Sequence, residues 1–244
     1  MKRRTERGDN RSGFSLVELL VVIAIVAVLA ALLLPGLSGA KARAQGLQCI
    51  SNERQLGVAL HVFLVDNHSY PLLAVSGGKG KRPESWWGED LECEGFGISH
   101  PAADFAFKGV WRCPSANPPP DYVQHGLWSY GYNAYGCYRL NDRINNKVGL
   151  LGHYYSDKLP TPIGEAEVVN PSEMMAIGEA SGATFMHILN ADFPRGCLRH
   201  QGEVNVVFCD GHVESPKVQS IFEDASDAAL VRWNRDHLPH RESL

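Results

Sequence analysis

The 244-residue chain lacks the short motifs by which many enzymes are detected from sequence. It has no G-x-S-x-G nucleophile elbow, no H-E-x-x-H zinc-protease motif and no phosphate-binding G-x-x-x-x-G-K loop. Its ten histidines show no spacing that singles out a catalytic pair. The sequence therefore predicts a protein that is not an enzyme, with no catalytic residues and no cofactor.

Positive charge is scarce outside the N-terminus. The net charge is −4, and residues 1–13 contribute +3, so the rest of the chain carries −7. No basic stripe follows, and nucleic acid is therefore not an expected partner.

Cysteine is also scarce, and no two cysteines form a C-x-x-C pair, which excludes the usual zinc-ribbon and thioredoxin spacings. Outside the cytoplasm some of the six could form disulfides, and otherwise they would be small buried thiols. The sequence does not choose among the pairings. The six are Cys49, Cys93, Cys113, Cys137, Cys197 and Cys209.

Long apolar runs are absent after residue 34, which leaves one candidate membrane span. Phe14 to Leu34 contains 21 residues and is interrupted only by Ser15 and Glu18. A helix rising ~1.5 Å per residue needs ~20 apolar residues to cross a bilayer. Because basic residues precede the span, we expect a cytoplasmic N-terminus and a head on the other side of the membrane.

Glu18 is the unusual residue of this span. An acidic side chain costs ~2.5–3.5 kcal/mol at the bilayer centre and somewhat less near an end. Either Glu18 lies at headgroup depth and reaches water, or it needs a partner that the nearby sequence does not supply.

A secretory signal peptide is the competing interpretation of the N-terminus. Ala42-Arg43-Ala44 offers an A-x-A cleavage site, after which the mature chain would begin at Gln45. That site lies beyond the apolar run and among basic residues, and the run is long for a signal peptide. We therefore favour a retained anchor.

Gly13, Phe14 and Glu18 resemble the N-terminal signature of type IV prepilins and type II secretion pseudopilins. In that signature a basic leader ends in Gly, and Phe, three mostly apolar or small residues, Glu and an apolar helix follow. The resemblance implies that prepilin peptidase cleaves after Gly13 and that Phe14 is N-methylated. It also implies that Glu18 pairs with the Phe14 amine of a neighbouring subunit during assembly at the bacterial inner membrane.

Helical periodicity continues beyond the span, where Leu56, Leu60 and Phe63 form one apolar stripe. We therefore predict a leader over residues 1–13, a helix over 14–65 that is transmembrane over 14–34, and an extracytoplasmic globular head over 66–244.

Within the head, Met174 to Ile177 and Val204 to Phe208 are strand candidates. Asp210-Gly211 directly after the second candidate is a strong hairpin signal. Ser226 to His237 has the pattern of a short helix, with Ala229 and Trp233 on one face.

The head extends the resemblance. His200, nine intervening residues and Asp210-Gly211 resemble the H-x9-DG motif of a family of prepilin-like proteins. Four further segments look like that family. They are Cys49 to Asn52 with Gln55 to Gly57 shortly after, Cys113-Pro114, Ser129 to Asn133 and Pro171 to Glu173.

His200, Asp210 and His212 are the candidate metal ligands of the head, because strand alternation could bring two imidazoles and a carboxylate together. The favoured role is structural, since Asp-Gly is what a tight turn requires and Asp210 can bond its own backbone. His200 would then bond a loop carbonyl and hold the hairpin.

Together these features predict an α+β, pilin-like fold with a long N-terminal helix packed on a small antiparallel sheet. The expected function is that of a structural subunit of a type II secretion pseudopilus or a type IV-like pilus. Its partners would be prepilin peptidase, other pilin or pseudopilin subunits and the inner membrane. The alternatives are a membrane-tethered module that binds a glycan or exported substrate through Trp86, Trp87 and Trp128, and a metal-dependent hydrolase.

Overall fold

A computed structural model describes most of the chain. The described residues are 15–72, 74–76, 83–99, 108–116, 129–133, 139–140, 143–144, 149–153, 161–180, 185–186 and 199–241. Gly13 and Phe14, the predicted processing residues, lie outside this part. The chain divides into two compact units, Met1–Arg43 and Ala44–Leu244.

The helical segments are α1 (Leu16–Asn67), α2 (Trp87–Asp90), a π-helical turn (Leu91–Gly95), 3₁₀ turns at Gly109–Trp111 and Glu165–Glu167, α3 (Val218–Phe222), α4 (Asp227–Leu230) and a 3₁₀ turn at Val231–Trp233. The strands are β1 (Ala74–Ser76), β2 (Pro83–Trp86), β3 (Tyr130–Asn133), β4 (Arg139–Leu140), β5 (Arg143–Ile144), β6 (Met175–Glu179), β7 (Phe185–Met186), β8 (Val206–Phe208) and β9 (Val213–Glu214).

Helix α1 is continuous through Pro35 and ends at Asn67. The next residue, His68, has a φ of +51°, and its N–H donates to the Leu64 carbonyl at 2.8 Å. A residue in the left-handed conformation is a common helix terminator, because it satisfies a carbonyl of the last turn.

The main sheet has five strands in the order β7-β3-β6-β8-β9. The pairs β3–β6, β6–β8 and β8–β9 are antiparallel, and β7 adds to β3 in parallel. The hairpin predicted around Asp210-Gly211 is confirmed, since Val206 faces Glu214 and Val207 faces Val213. The pairs β1–β2 and β4–β5 form separate two-stranded sheets.

Alternate residues of β8 enter different parts of the core. Val207 belongs to the hydrophobic cluster that contains Leu60 of α1, whereas Val206 and Phe208 pack in a second cluster with Trp233. Because successive side chains of a strand point to opposite faces, β8 is covered on both sides. This explains why its sequence is continuously apolar rather than alternating.

Aromatic side chains fill the core between α1 and the sheet. Trp87 stacks on Tyr132 with ring centroids 5.2 Å apart, and it meets Trp111 edge-on at 5.4 Å. The predicted apolar stripe of α1 is buried in the same cluster as these rings. Burying this much aromatic surface contributes strongly to the stability of a small domain.

The predicted α+β class, with a long N-terminal helix and a small antiparallel sheet, is confirmed. The parallel addition of β7 to β3 is the one departure within the described sheet. In the tail, the predicted helix is replaced by the shorter α4 and a 3₁₀ turn. Ala229 and Trp233 are nevertheless both buried, as the pattern indicated.

Candidate functional site

Glu18 lies in the first turn of α1. Its Oε2 accepts a hydrogen bond from the Ser15 backbone N–H at 2.9 Å. The carboxylate therefore satisfies one of the unpaired N–H groups at a helix N-terminus, where the helix dipole also favours negative charge.

The described residues of the unit Met1–Arg43 expose their large apolar side chains. From Leu16 to Leu34 the large apolar residues are between 49% and 76% exposed. In the part of the chain that the structure describes, α1 is the one helix long and apolar enough to cross a membrane. Such a surface requires lipid or other apolar helices around it.

The Asp-Gly turn of the head is held by its own side chains. Asp210 Oδ1 accepts from the His212 backbone N–H at 3.1 Å and lies 2.5 Å from His212 Nδ1. The His212 ring stacks on Phe208 with centroids 4.3 Å apart. Asp210 thus bonds its own backbone, as the turn chemistry predicted.

His200 lies in a different place from the predicted metal set. Its Nε2 is 2.7 Å from Glu179 Oε1 and 3.6 Å from Cys113 Sγ. Among the described residues, no cluster of metal-ligating atoms joins His200 to Asp210 and His212. The three-residue metal set therefore stays a prediction, since the described contacts place His200 against Glu179 and Cys113 and place Asp210 against His212. His200 bonds a carboxylate rather than the loop carbonyl that we expected.

A disulfide joins Cys49 of α1 to Cys113, across 64 residues of sequence, with Cα atoms 5.2 Å apart. A disulfide that closes a loop of this length stabilises the fold by ~4 kcal/mol in the chain-entropy model. Cys93 is an exposed free thiol and Cys209 a buried one. Cys137 and Cys197 lie outside the described residues.

Two carboxyl groups are fully buried beside the disulfide region. Glu179 Oε1 lies 3.3 Å from Cys113 Sγ, and its Oε2 accepts from the Asn205 backbone N–H at 3.2 Å. Glu53 has no hydrogen-bond partner among the described residues. Burial, with a smaller effect from the nearby Glu179 charge, raises the pKa of Glu53 well above its usual value, and Arg199 opposes this rise.

Four potential metal-ligating atoms meet at this point, all within 4.8 Å of one another. We call this group the head cluster, and its members are Cys49, Cys113, Glu179 and His200. Of these residues, His200 was predicted from the sequence as a candidate ligand, whereas its partner Glu179 was not. The available signal was an acidic residue two positions after the apolar run Met174 to Ile177, with only Gly178 between them, where a buried strand normally has none.

Comparison with known proteins finds a family match in the N-terminal segment. A family model described as the prokaryotic N-terminal methylation motif matches residues 8–34. This chain carries a prepilin-type N-terminal methylation motif. The matched segment includes Gly13, Phe14 and Glu18, and it covers only a small part of the chain.

Several curated proteins are similar to the chain over a limited length. Type II secretion system core protein G of Escherichia coli is 43% identical over 63 residues, which is 26% of this chain and 43% of that protein. The protein of the same name from Pectobacterium carotovorum is 39% identical over 66 residues, 27% of this chain and 42% of that protein. The type IV wide pilus major component PilA4 of Thermus thermophilus is 41% identical over 61 residues, 25% of this chain and 47% of that protein.

The chain thus spans less than half the length of these relatives. No solved structure matches it significantly. The family resemblance therefore stands on the N-terminal motif and on these partial similarities.

Proposed function

We propose that this chain is a structural subunit of a type II secretion pseudopilus or a type IV-like pilus. The observation that carries the proposal is the coincidence of the methylation motif at residues 8–34 with an apolar, exposed helix that has one acidic residue, Glu18, in its first turn. A helix of this kind can be solvated by lipid before assembly and by neighbouring helices afterwards.

In this function the protein acts by assembly rather than by catalysis. Prepilin peptidase would cut after Gly13 and leave Phe14 as the methylated N-terminus. The helix would hold the subunit in the inner membrane, with its N-terminus cytoplasmic and its head outside. On extraction, which a separate ATPase would drive, Glu18 would pair with the Phe14 amine of a neighbouring subunit.

The alternative of a tethered binding module needs at least two exposed tryptophans on one face. Trp87 is fully buried and Trp86 is half-buried against the core, so the described tryptophans supply packing. Trp128 lies outside the described residues. The buried rings favour the structural subunit over the binding module.

Mass spectrometry of the mature protein and of sheared filaments tests the proposal. We expect the first residue to be methylated Phe14 and the chain to be recovered in filaments sheared from cells, with an abundant inner-membrane protein as the contamination control. A mature chain beginning at Gln45, or a chain absent from every filament fraction, would refute the proposal.

A further inference from the structure

The head cluster combines a disulfide with two further ligand groups, which a purely structural cross-link does not require. Glu179 is fully buried and the His200 side chain is 9% exposed. The two sulfurs, the carboxylate oxygen and the imidazole nitrogen all lie within 4.8 Å of one another. They come from α1, the segment after the Gly109–Trp111 turn, strand β6 and the start of the segment 199–241.

The chemistry of this donor set is that of a tetrahedral zinc site. Structural Zn²⁺ is bound by four Cys, His or carboxylate ligands, with distances of about 2.3 Å to sulfur and about 2.0–2.1 Å to nitrogen or oxygen. Such distances place a sulfur and a nitrogen ligand roughly 3.5 Å apart, and Cys113 Sγ already lies 3.6 Å from His200 Nε2. The carboxylate and imidazole, now 2.7 Å apart, would separate by only about 0.6 Å.

The surrounding charge also favours a cation. Glu179 is fully buried, and its Oε1 lies 2.7 Å from His200 Nε2 and 3.3 Å from Cys113 Sγ. Arg199 is the nearby guanidinium, and it donates hydrogen bonds to the carbonyls of Ser129 and Ala180. A divalent ion held by Glu179 would offset the charge of this buried carboxylate.

We propose that the head cluster has two mutually exclusive states, the Cys49–Cys113 disulfide and a Zn²⁺ site that forms when the disulfide is reduced. A dithiol reductant supplies two electrons and two protons, so the S–S bond breaks, two thiols form and the reductant becomes a cyclic disulfide. Each thiol then releases its proton as its sulfur binds Zn²⁺. This inference goes beyond the proposed assembly function and does not depend on it.

Co²⁺ binding to the full-length protein in detergent tests the proposal, because cobalt thiolates give a charge-transfer band in the near ultraviolet. After reduction with a phosphine and removal of the reductant without air, we expect about one Co²⁺ per chain, displaced by Zn²⁺. The oxidised protein should bind none. Cys113→Ser should abolish the band, and His200→Gln should weaken binding by about tenfold or more. Cys93→Ser and His212→Gln, which change a thiol and an imidazole outside the cluster, should bind as the wild type does.

Folding is followed separately by circular dichroism, with oxidised His200→Gln as the control for a folded head. If reduction unfolds the head and Zn²⁺ restores it, the proposal is supported. It is overturned if the reduced protein binds no Co²⁺, if Zn²⁺ fails to restore a fold lost on reduction, or if binding survives both Cys113→Ser and His200→Gln. Loss of binding in Cys93→Ser would also contradict it.

Discussion

Gly57 of α1 and Gly211 of the Asp-Gly turn are in direct backbone apposition. A Cβ atom at position 57 would lie 2.9 Å from the Gly211 carbonyl oxygen, closer than real Cβ atoms come to other atoms, and 3.1 Å from a Val207 methyl. Glycine in a helix interior costs about 1 kcal/mol relative to alanine. The close approach explains why glycine occupies this position despite its cost, since any side chain at position 57 would prevent the hairpin from packing against the helix.

Gly57→Ala should therefore destabilise the head by about 1–3 kcal/mol, because the strain of overpacking exceeds the gain in helix propensity. Denaturant unfolding of the full chain in detergent, followed by tryptophan fluorescence, measures this. Val58→Ala is the matched control, since Val58 is the next residue of α1 and is 64% exposed, and its effect should stay within about 0.5 kcal/mol. A more stable Gly57→Ala variant would show that turn and helix separate without cost.

Glu53 should make the stability of the head depend on pH. Its pKa is raised in the folded state, chiefly by burial, so the folded protein holds a proton that the unfolded chain releases. The stabilisation is therefore complete below the unfolded pKa near 4.5 and declines as pH rises towards the folded pKa, by up to about 1.4 kcal/mol per pH unit. The glutamine in Glu53→Gln cannot ionise. The part of the decrease in stability with rising pH that Glu53 causes should therefore be absent from this variant.

Unfolding at pH 5 and pH 8, with the disulfide intact and a chelator present, tests the prediction. The groups that influence Glu53 are Glu179, Arg199 and Tyr130. The difference in the free energy of unfolding between Glu53→Gln and the wild type should favour the variant more at pH 8 than at pH 5. Glu223→Gln, which removes an exposed carboxyl, controls for the loss of one acidic group. Equal effects of Glu53→Gln at both pH values would contradict the prediction.

Features that depend on residues close together in the sequence could be predicted, whereas contacts between residues far apart in the sequence could not. The hairpin, the apolar stripe of α1 and the membrane-competent helix were predictable because each depends on neighbouring residues. The pairing of His200 with Glu179 was not, since it depends on how strand β6 packs beside a segment 21 residues away. The Cys49–Cys113 bond likewise requires the folded head to bring together residues that no local pattern relates.

The two free thiols of the described head should differ sharply in reactivity. Cys93 is exposed, whereas Cys209 is buried, and burial is the main cause that raises the pKa of Cys209 to about 12. The thiolate is the reactive form, and the pKa of Cys93 is also raised, by partial burial and by nearby carboxylates, so exposure decides the contrast. A maleimide at pH 7.5 should label Cys93 in the folded protein and leave Cys209 unlabelled until the protein unfolds. Peptide mapping by mass spectrometry distinguishes the sites. Rapid labelling of Cys209 in folded protein would mean that strand β8 opens readily.

Glu18→Val should separate membrane insertion from assembly. Removing the acidic group from the apolar span should leave insertion normal or slightly favoured, since a charged residue there costs ~2.5–3.5 kcal/mol at the bilayer centre. In a filament, however, the same change removes the expected partner of a neighbouring Phe14 amine. An uncompensated charge inside an apolar helix bundle is strongly unfavourable, because removing one member of a buried pair costs about 3–5 kcal/mol.

We therefore expect Glu18→Val to be cleaved and retained in the membrane at wild-type levels, and to be at least tenfold depleted in sheared filaments. Co-expression with a tagged wild-type chain measures both fractions in the same cells. Val17→Leu, an apolar exchange one residue away, is the control and should enter filaments normally. A membrane-tethered binding module predicts no such difference, because its function needs no register between subunits. If Glu18→Val enters filaments as well as the wild type, charge pairing at Glu18 does not direct assembly.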